Sequence, residues 1–179
     1  MYITTDKKNN YIKLILYFFI FSFAGWILET GYCFTELGYF MKRGFLYGPI
    51  CPIYGFGALI LIIFLNKYKK HSFKLFLCAS IICSAFEYIV GFALDALFST
   101  KWWDYSSEIL NLNGRISILF SVAWGVIAIL FVNHFYPFFE KHSTNILKHF
   151  SFKMQKLVTF ILLIIFVIDI SFSCIKYLS

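Results

Sequence analysis

The chain has 179 residues, 60% of them hydrophobic and 14% charged, with a formal net charge of +7. A soluble domain is usually about half apolar and a quarter charged, so these charges are too few to cover a water-facing surface, and the chain reads as an integral membrane protein. The lysines lie in short loops between apolar runs rather than on one basic face, which argues against a nucleic-acid partner.

The first apolar run covers residues 11–34 and follows "KKNNYIK". That start resembles a signal peptide, but the run is too long and no A-x-A site follows, so it is expected to remain as a first helix. Glu29 lies toward its end, with Trp26 and Cys33 on the same face at i−3 and i+4. Next comes "KRGFLYGPICPIYGFG", residues 42–57. Gly44, Gly48, Gly55 and Gly57, with Pro49 and Pro52, cannot form one plain helix. A re-entrant turn or a broken start to a short second span, residues 49–65, fits this composition. An ordinary loop ending in a Pro-initiated helix fits it as well.

A third span is expected over residues 73–98. Ser80, Ser84, Glu87, Gly91 and Asp95 follow one another at spacings of 4, 3, 4 and 4, a single polar and small stripe on an apolar helix. Such a stripe packs against another helix or lines a cavity. The loop "KWWDYSSEILNLNGR" follows, residues 101–115. Trp102, Trp103 and Tyr105 suit a membrane–water interface, and "NLNG" reads as a turn. Asp104, Asn113 and Arg115 are not explained by interfacial anchoring. Two further spans are expected over residues 116–136 and 157–177, the last carrying Asp169. The fold class is therefore all-α: a bundle of five transmembrane helices, with a re-entrant or broken segment before helix 2, in a single integral membrane domain covering residues 1–179.

Eleven of the sixteen basic residues fall on one side of this topology and five on the other. The positive-inside rule then places the N-terminus in the cytoplasm and the C-terminus outside, in a bacterial cytoplasmic membrane. Both dense loops lie on the outer side. Fourteen basic residues are lysines and only two are arginines, Arg43 and Arg115, one in each dense loop. Arginine's planar fork binds carboxylate or phosphate in a way lysine cannot. A carboxylate near the bilayer centre costs at least about 2.5–3.5 kcal/mol, so Glu29, Glu87 and Asp95 need partners. Those partners either fix the packing or line a site.

The five cysteines include no CxxC, and no histidine stands at ligand spacing, so no metal or cofactor is expected. A disulfide between Cys33 and Cys51 has weak support. No G-x-x-x-x-G-K-[ST] occurs, and the short loops leave no room for a nucleotide-binding fold.

Six motifs, "GWILET" (25–30), "RGFLYGPICPIYGFG" (43–57), "EYIVG" (87–91), "WWDYS" (102–106), "NLNGRI" (111–116) and "WG" (124–125), resemble in the same order the CmpB-like ABC-transporter permease family of small bacterial membrane proteins. The similarity covers nearly the whole chain. Lys42 stands where that pattern leads us to expect Asn, and Asp95 where it leads us to expect Glu. The resemblance implies a multi-span membrane protein with a transport role, working with a separate ATPase subunit in the lipid bilayer. Five spans are few for one path, which suggests a homodimer or a partner subunit.

Three functions compete. The first is a permease or transporter subunit with a polar site near the outer face. The second is a membrane enzyme acting on a lipid or lipid-linked substrate, with Glu29, Glu87 or Asp104 as acid or base and the arginines as an anion clamp. No Ser, Cys or His constellation supports nucleophilic catalysis, so the sequence leans away from an enzyme. The third is a non-catalytic accessory protein. In the first reading Glu29, Arg43, Tyr47, Glu87, Asp95, Trp102, Trp103, Asp104, Tyr105, Asn113 and Arg115 line the site, and the two dense loops close over it.

Overall fold

The computed structural model describes residues 7–178. The N-terminal tip and the side chains of Lys7 and Lys8, which enter the charge count above, lie outside the described residues. The protein is all-α, and the described residues contain no strand, only an isolated bridge between Leu112 and Ile116. Helix α1 spans Lys7–Leu37. Helix α2, Pro52–Ile60, continues through a π-turn, Leu61–Leu65, and a 3-10 turn, Asn66–Tyr68. Helix α3 spans Ser72–Phe98. Helix α4, Ile118–Leu130, runs through a second π-turn, Phe131–Phe135, into α5, Tyr136–Leu147. Helix α6 spans Phe152–Leu178.

Four of these rods are long and apolar enough to cross a membrane, and the α2 rod is shorter, at Pro52–Tyr68. Large apolar side chains such as Ile27, Leu28, Ile81, Ile89, Phe160 and Ile165 point outward, as lipid contact requires. The protein is a multi-pass membrane protein.

The chain packs as two compact units, Met1–Leu59 with Thr144–Ser179, and Ile60–Ser143. In the first, α1 packs along α6, with Phe18 and Phe19 edge-on to Phe166 at 5.4 and 5.7 Å. Helix α1 ends where Gly38 takes φ +74° and returns its N–H to the carbonyl of Phe34 at 3.0 Å. The chain then folds back rather than leaving. The Cys51 N–H donates to the carbonyl of Ser22 at 2.9 Å. Ser22 lies 15 residues before the end of α1, about 22 Å along a helix, and near the middle of the span Asn10–Thr35. The segment before α2 is therefore non-helical at membrane depth, which explains why the second rod is short.

In the second unit the main packing is α3 on α4. A cluster of Leu61, Leu65, Leu75, Ala79, Ala128 and Val132 fills the core. The small and polar stripe of α3 meets α4 and the loop after α3: Ser84 Oγ donates to Ser121 Oγ at 2.7 Å, and Gly125 presses on Ser80 and Phe76. Helix α3 stops at Ser99, which adopts the left-handed conformation and returns its N–H to Asp95.

One expectation changes, and one weakly supported option falls away. The fourth rod does not end at Tyr136 but continues to Leu147. Pro137 lacks an N–H and would break a regular α-helix. The π-turn just before it, where the Tyr136 N–H reaches the carbonyl of Phe131, widens the helix and lets the rod pass the proline. Cys33 and Cys51 are both free thiols, so no disulfide joins them.

Candidate functional site

Each unit carries its own polar cluster. In the first, Glu29 on α1 accepts from Tyr54 Oη at 2.6 Å and pairs with Arg43 Nε at 3.3 Å. Tyr54 reaches Glu29 because Gly25 gives it room, since a Cβ at Gly25 would clash with the Tyr54 side chain. The Nε1 of Trp26 and the Oγ1 of Thr30, beside Glu29 on α1, are buried with no hydrogen-bond partner.

The fold-back segment needs support, because peptide groups outside a helix must find partners at this depth. Asp169 of α6 supplies them. Its two oxygens accept the N–H of Tyr47 and of Gly48, each at 2.8 Å, and Ser173 Oγ donates back to Asp169 at 3.2 Å. Gly48 is required here, since a Cβ would meet Asp169 Oδ2 at 2.7 Å. Lys42 Nζ donates to the carbonyl of Tyr47. The exposed Tyr47 ring lies between Lys42 Nζ at 5.4 Å and Lys176 Nζ at 5.1 Å. The sequence marked Asp169 only as an intramembrane acid. Its partners are 121 and 122 residues away.

In the second unit the loop after α3 folds back in the same manner. Glu87, 5% exposed, accepts from Tyr105 Oη at 3.1 Å and from Trp124 Nε1 at 2.9 Å. Tyr105 stacks on Phe120 of α4, with ring centroids 4.3 Å apart. Arg115 Nη2 lies 2.6 Å from Asp95 Oδ2, and its guanidinium sits over Phe92 at 5.4 Å and Tyr88 at 5.7 Å. Trp103 Nε1 donates to the Arg115 carbonyl at 3.0 Å, and Gly91 provides the flat surface on which Trp103 lies. Asn113 donates to Tyr88 Oη at 2.9 Å. Trp102 packs edge-on to Phe98.

Asp104 is exposed and organises the loop itself. It accepts from the Ser106 hydroxyl and N–H and pairs with Lys101 at 3.0 Å. The Ser106 bonds first, then Lys101, hold its carboxyl down at about 2. Its charge is therefore kept throughout the ordinary pH range, and the bonds that depend on it are lost only as pH falls through about 2. Gly114, at φ +68°, closes the turn against Asp104 and Ser106, where no Cβ fits.

The structure thus brings Glu29, Arg43 and Tyr54 together in one unit, and Glu87, Asp95, Trp103, Tyr105, Asn113 and Arg115 in the other. Each arginine pairs with a carboxylate of its own hairpin. Tyr54 and Trp124 were not singled out as ligands of the carboxylates by sequence reasoning. A tryptophan amid an apolar helix was the available signal, because its N–H needs an acceptor when buried.

A family model described as "ABC_trans_CmpB: Putative ABC-transporter type IV" matches residues 16–174. The chain belongs to this family. No curated protein and no solved structure matches it. The CmpB match spans both hairpins and α6, so both clusters and Asp169 lie within the family's extent.

Proposed function

We propose that the chain is the membrane-spanning permease subunit of a transporter, a single integral membrane domain in which each fold-back loop presents a polar surface. One observation carries this reading. Both long loops return alongside their helices to intramembrane carboxylates, instead of capping the helices at the surface. Non-helical backbone at that depth is tolerated where it is buried in protein or lines a cavity, and broken segments of this kind are how many transporters build solute sites. The excess of lysine on the opposite ends supports an orientation with the loops outside, the N-terminus in the cytoplasm and the C-terminus outside. In this reading each unit offers its own polar cluster to the solute, Tyr47 with the Glu29–Arg43 pair in the first and the Asp95–Arg115 pair in the second.

The family's description as an ABC-transporter type, in a chain with no nucleotide-binding motif of its own, supports a separate ATPase subunit as the energy source. Purification of the full-length chain in a mild detergent from its native membrane tests this. The reading predicts a stoichiometric partner that hydrolyses ATP, with hydrolysis residing in the complex. Recovery of the intact chain alone, or only with itself, contradicts it and favours a non-catalytic accessory role.

A further inference from the structure

The two hairpins repeat one another at a set of matched positions. Phe18, Ser22 and Glu29 on α1 correspond to Phe76, Ser80 and Glu87 on α3, each pair 58 residues apart and identical in type. Tyr17 and Phe21 are buried in α1, and their counterparts Leu75 and Ala79 are buried in α3. After the longer second loop the spacing becomes 70. Gly44 corresponds to Gly114, and both hold positive φ, +92° and +68°. Tyr54–Gly55 corresponds to Trp124–Gly125, Ala58 to Ala128, and the π-turn Leu61–Leu65 to the π-turn Phe131–Phe135.

The contacts repeat as well as the residues. Gly55 presses on the Ser22 hydroxyl and the Phe18 ring, and Gly125 presses on the Ser80 hydroxyl and the Phe76 ring. In both copies that serine oxygen is buried without a hydrogen-bond partner. In both, the residue just before the glycine donates to the carboxylate, Tyr54 to Glu29 and Trp124 to Glu87. The two π-turns pack against each other in the second unit.

We infer that residues 14–65 and 72–135 are two copies of one helix, fold-back loop, helix and π-turn unit, so that Glu29 and Glu87 are equivalent sites and Tyr54 and Trp124 are their equivalent positioning residues. Chance similarity gives matching letters, but it does not give the same three-residue contact, the same donor placement and the same rare π-turn at one spacing for each helix of the hairpin. The copies differ in loop length, in the carboxylate that the arginine pairs with, and at the start of the second helix. In the second copy, Ser117 caps α4 and the helix begins at Ile118. In the first, the equivalent Tyr47 and Gly48 stay outside any helix, and Asp169 of α6, which has no counterpart in the repeat, takes their N–H groups. The first copy is thus the unwound one, and α6 is the element added to hold it open.

Reciprocal exchange in the full-length protein tests the equivalence. Tyr54→Phe and Trp124→Phe each remove a donor and lower the melting temperature in detergent by about 5 °C. The double exchange Tyr54→Trp with Trp124→Tyr keeps a donor at both sites and recovers most of that loss. An exchange protein no more stable than the double Phe variant overturns the equivalence. Should the larger tryptophan fail to fit over Gly25, an experimental structure of the unaltered chain decides independently. A single rotation must lay 14–35 and 52–65 onto 72–93 and 122–135 at these spacings, and a shift of even one residue in either helix overturns the duplication.

Discussion

Asp169→Ala lowers the melting temperature of the detergent-solubilised protein by on the order of 10 °C. The carboxylate accepts two backbone N–H groups, from Tyr47 and Gly48, at 2.8 Å each. Hydrogen bonds to charged groups contribute about 1.5–3 kcal/mol apiece, and of the two N–H groups the one of Tyr47 keeps a longer bond to Ser173 Oγ at 3.2 Å. Loss of both costs about 3–5 kcal/mol. Asp169→Asn keeps one acceptor oxygen and presents an amide NH2 to the other N–H, so its effect is intermediate or nearly as large. Thermal unfolding monitored by circular dichroism reads the series. Equal stability of all three proteins would show that the fold-back segment does not depend on α6.

The second large effect is at Arg115. Arg115→Ala leaves Asp95 without its partner, and it removes the cation lying over Phe92 and Tyr88. Breaking a well-buried pair costs about 3–5 kcal/mol. The side chains here are 18% and 29% exposed, so about 2–3 kcal/mol is expected once that exposure is discounted. Arg115→Lys restores the charge but not the plane that stacks on two rings. It is expected to recover less than half of the loss. Guanidinium-specific packing is confirmed by that shortfall in melting temperature, and full recovery by lysine would reduce Arg115 to a point charge. The loop carrying Trp103 follows Arg115, because the Trp103 N–H is held by the Arg115 carbonyl.

Much of the fold was legible because lipid imposes simple demands. Apolar runs of adequate length gave the rods, and the polar stripe from Ser80 to Asp95 identified the face of α3 that meets α4. Gly and Pro between Gly44 and Gly57 marked a segment that could not be a plain helix. The choice of arginine over lysine at two positions pointed to a carboxylate or phosphate held by the guanidinium fork, and each arginine meets a carboxylate through one nitrogen. What stayed hidden depends on where the chain goes after it leaves a helix. Asp169 could not be matched to Tyr47 and Gly48 from spacing, since only the return of the loop beside α1 and α6 brings them together. Helix α4 could not be seen to pass Pro137, because a π-turn has no reliable sequence mark. The repeat was masked by low identity and by a change of spacing from 58 to 70, caused by the longer second loop. It becomes visible once Gly55 and Gly125 are found pressed on the same pair of side chains.

The claim that the fold-back loops form a solute-accessible polar surface on one side of the membrane is tested most directly by thiol accessibility. In a cysteine-free background, single cysteines replace Tyr47, Asn113, Ser107 and Tyr68, with Ile27 and Ile89 as outward-facing apolar controls. A membrane-impermeant hydrophilic thiol reagent is then applied to intact cells. The account predicts modification at 47, 107 and 113 from outside, at 68 only after the cells are opened, and none at 27 or 89. Protection of 47 and 113 in opened as well as intact cells, or reaction of the two from opposite sides, would contradict it.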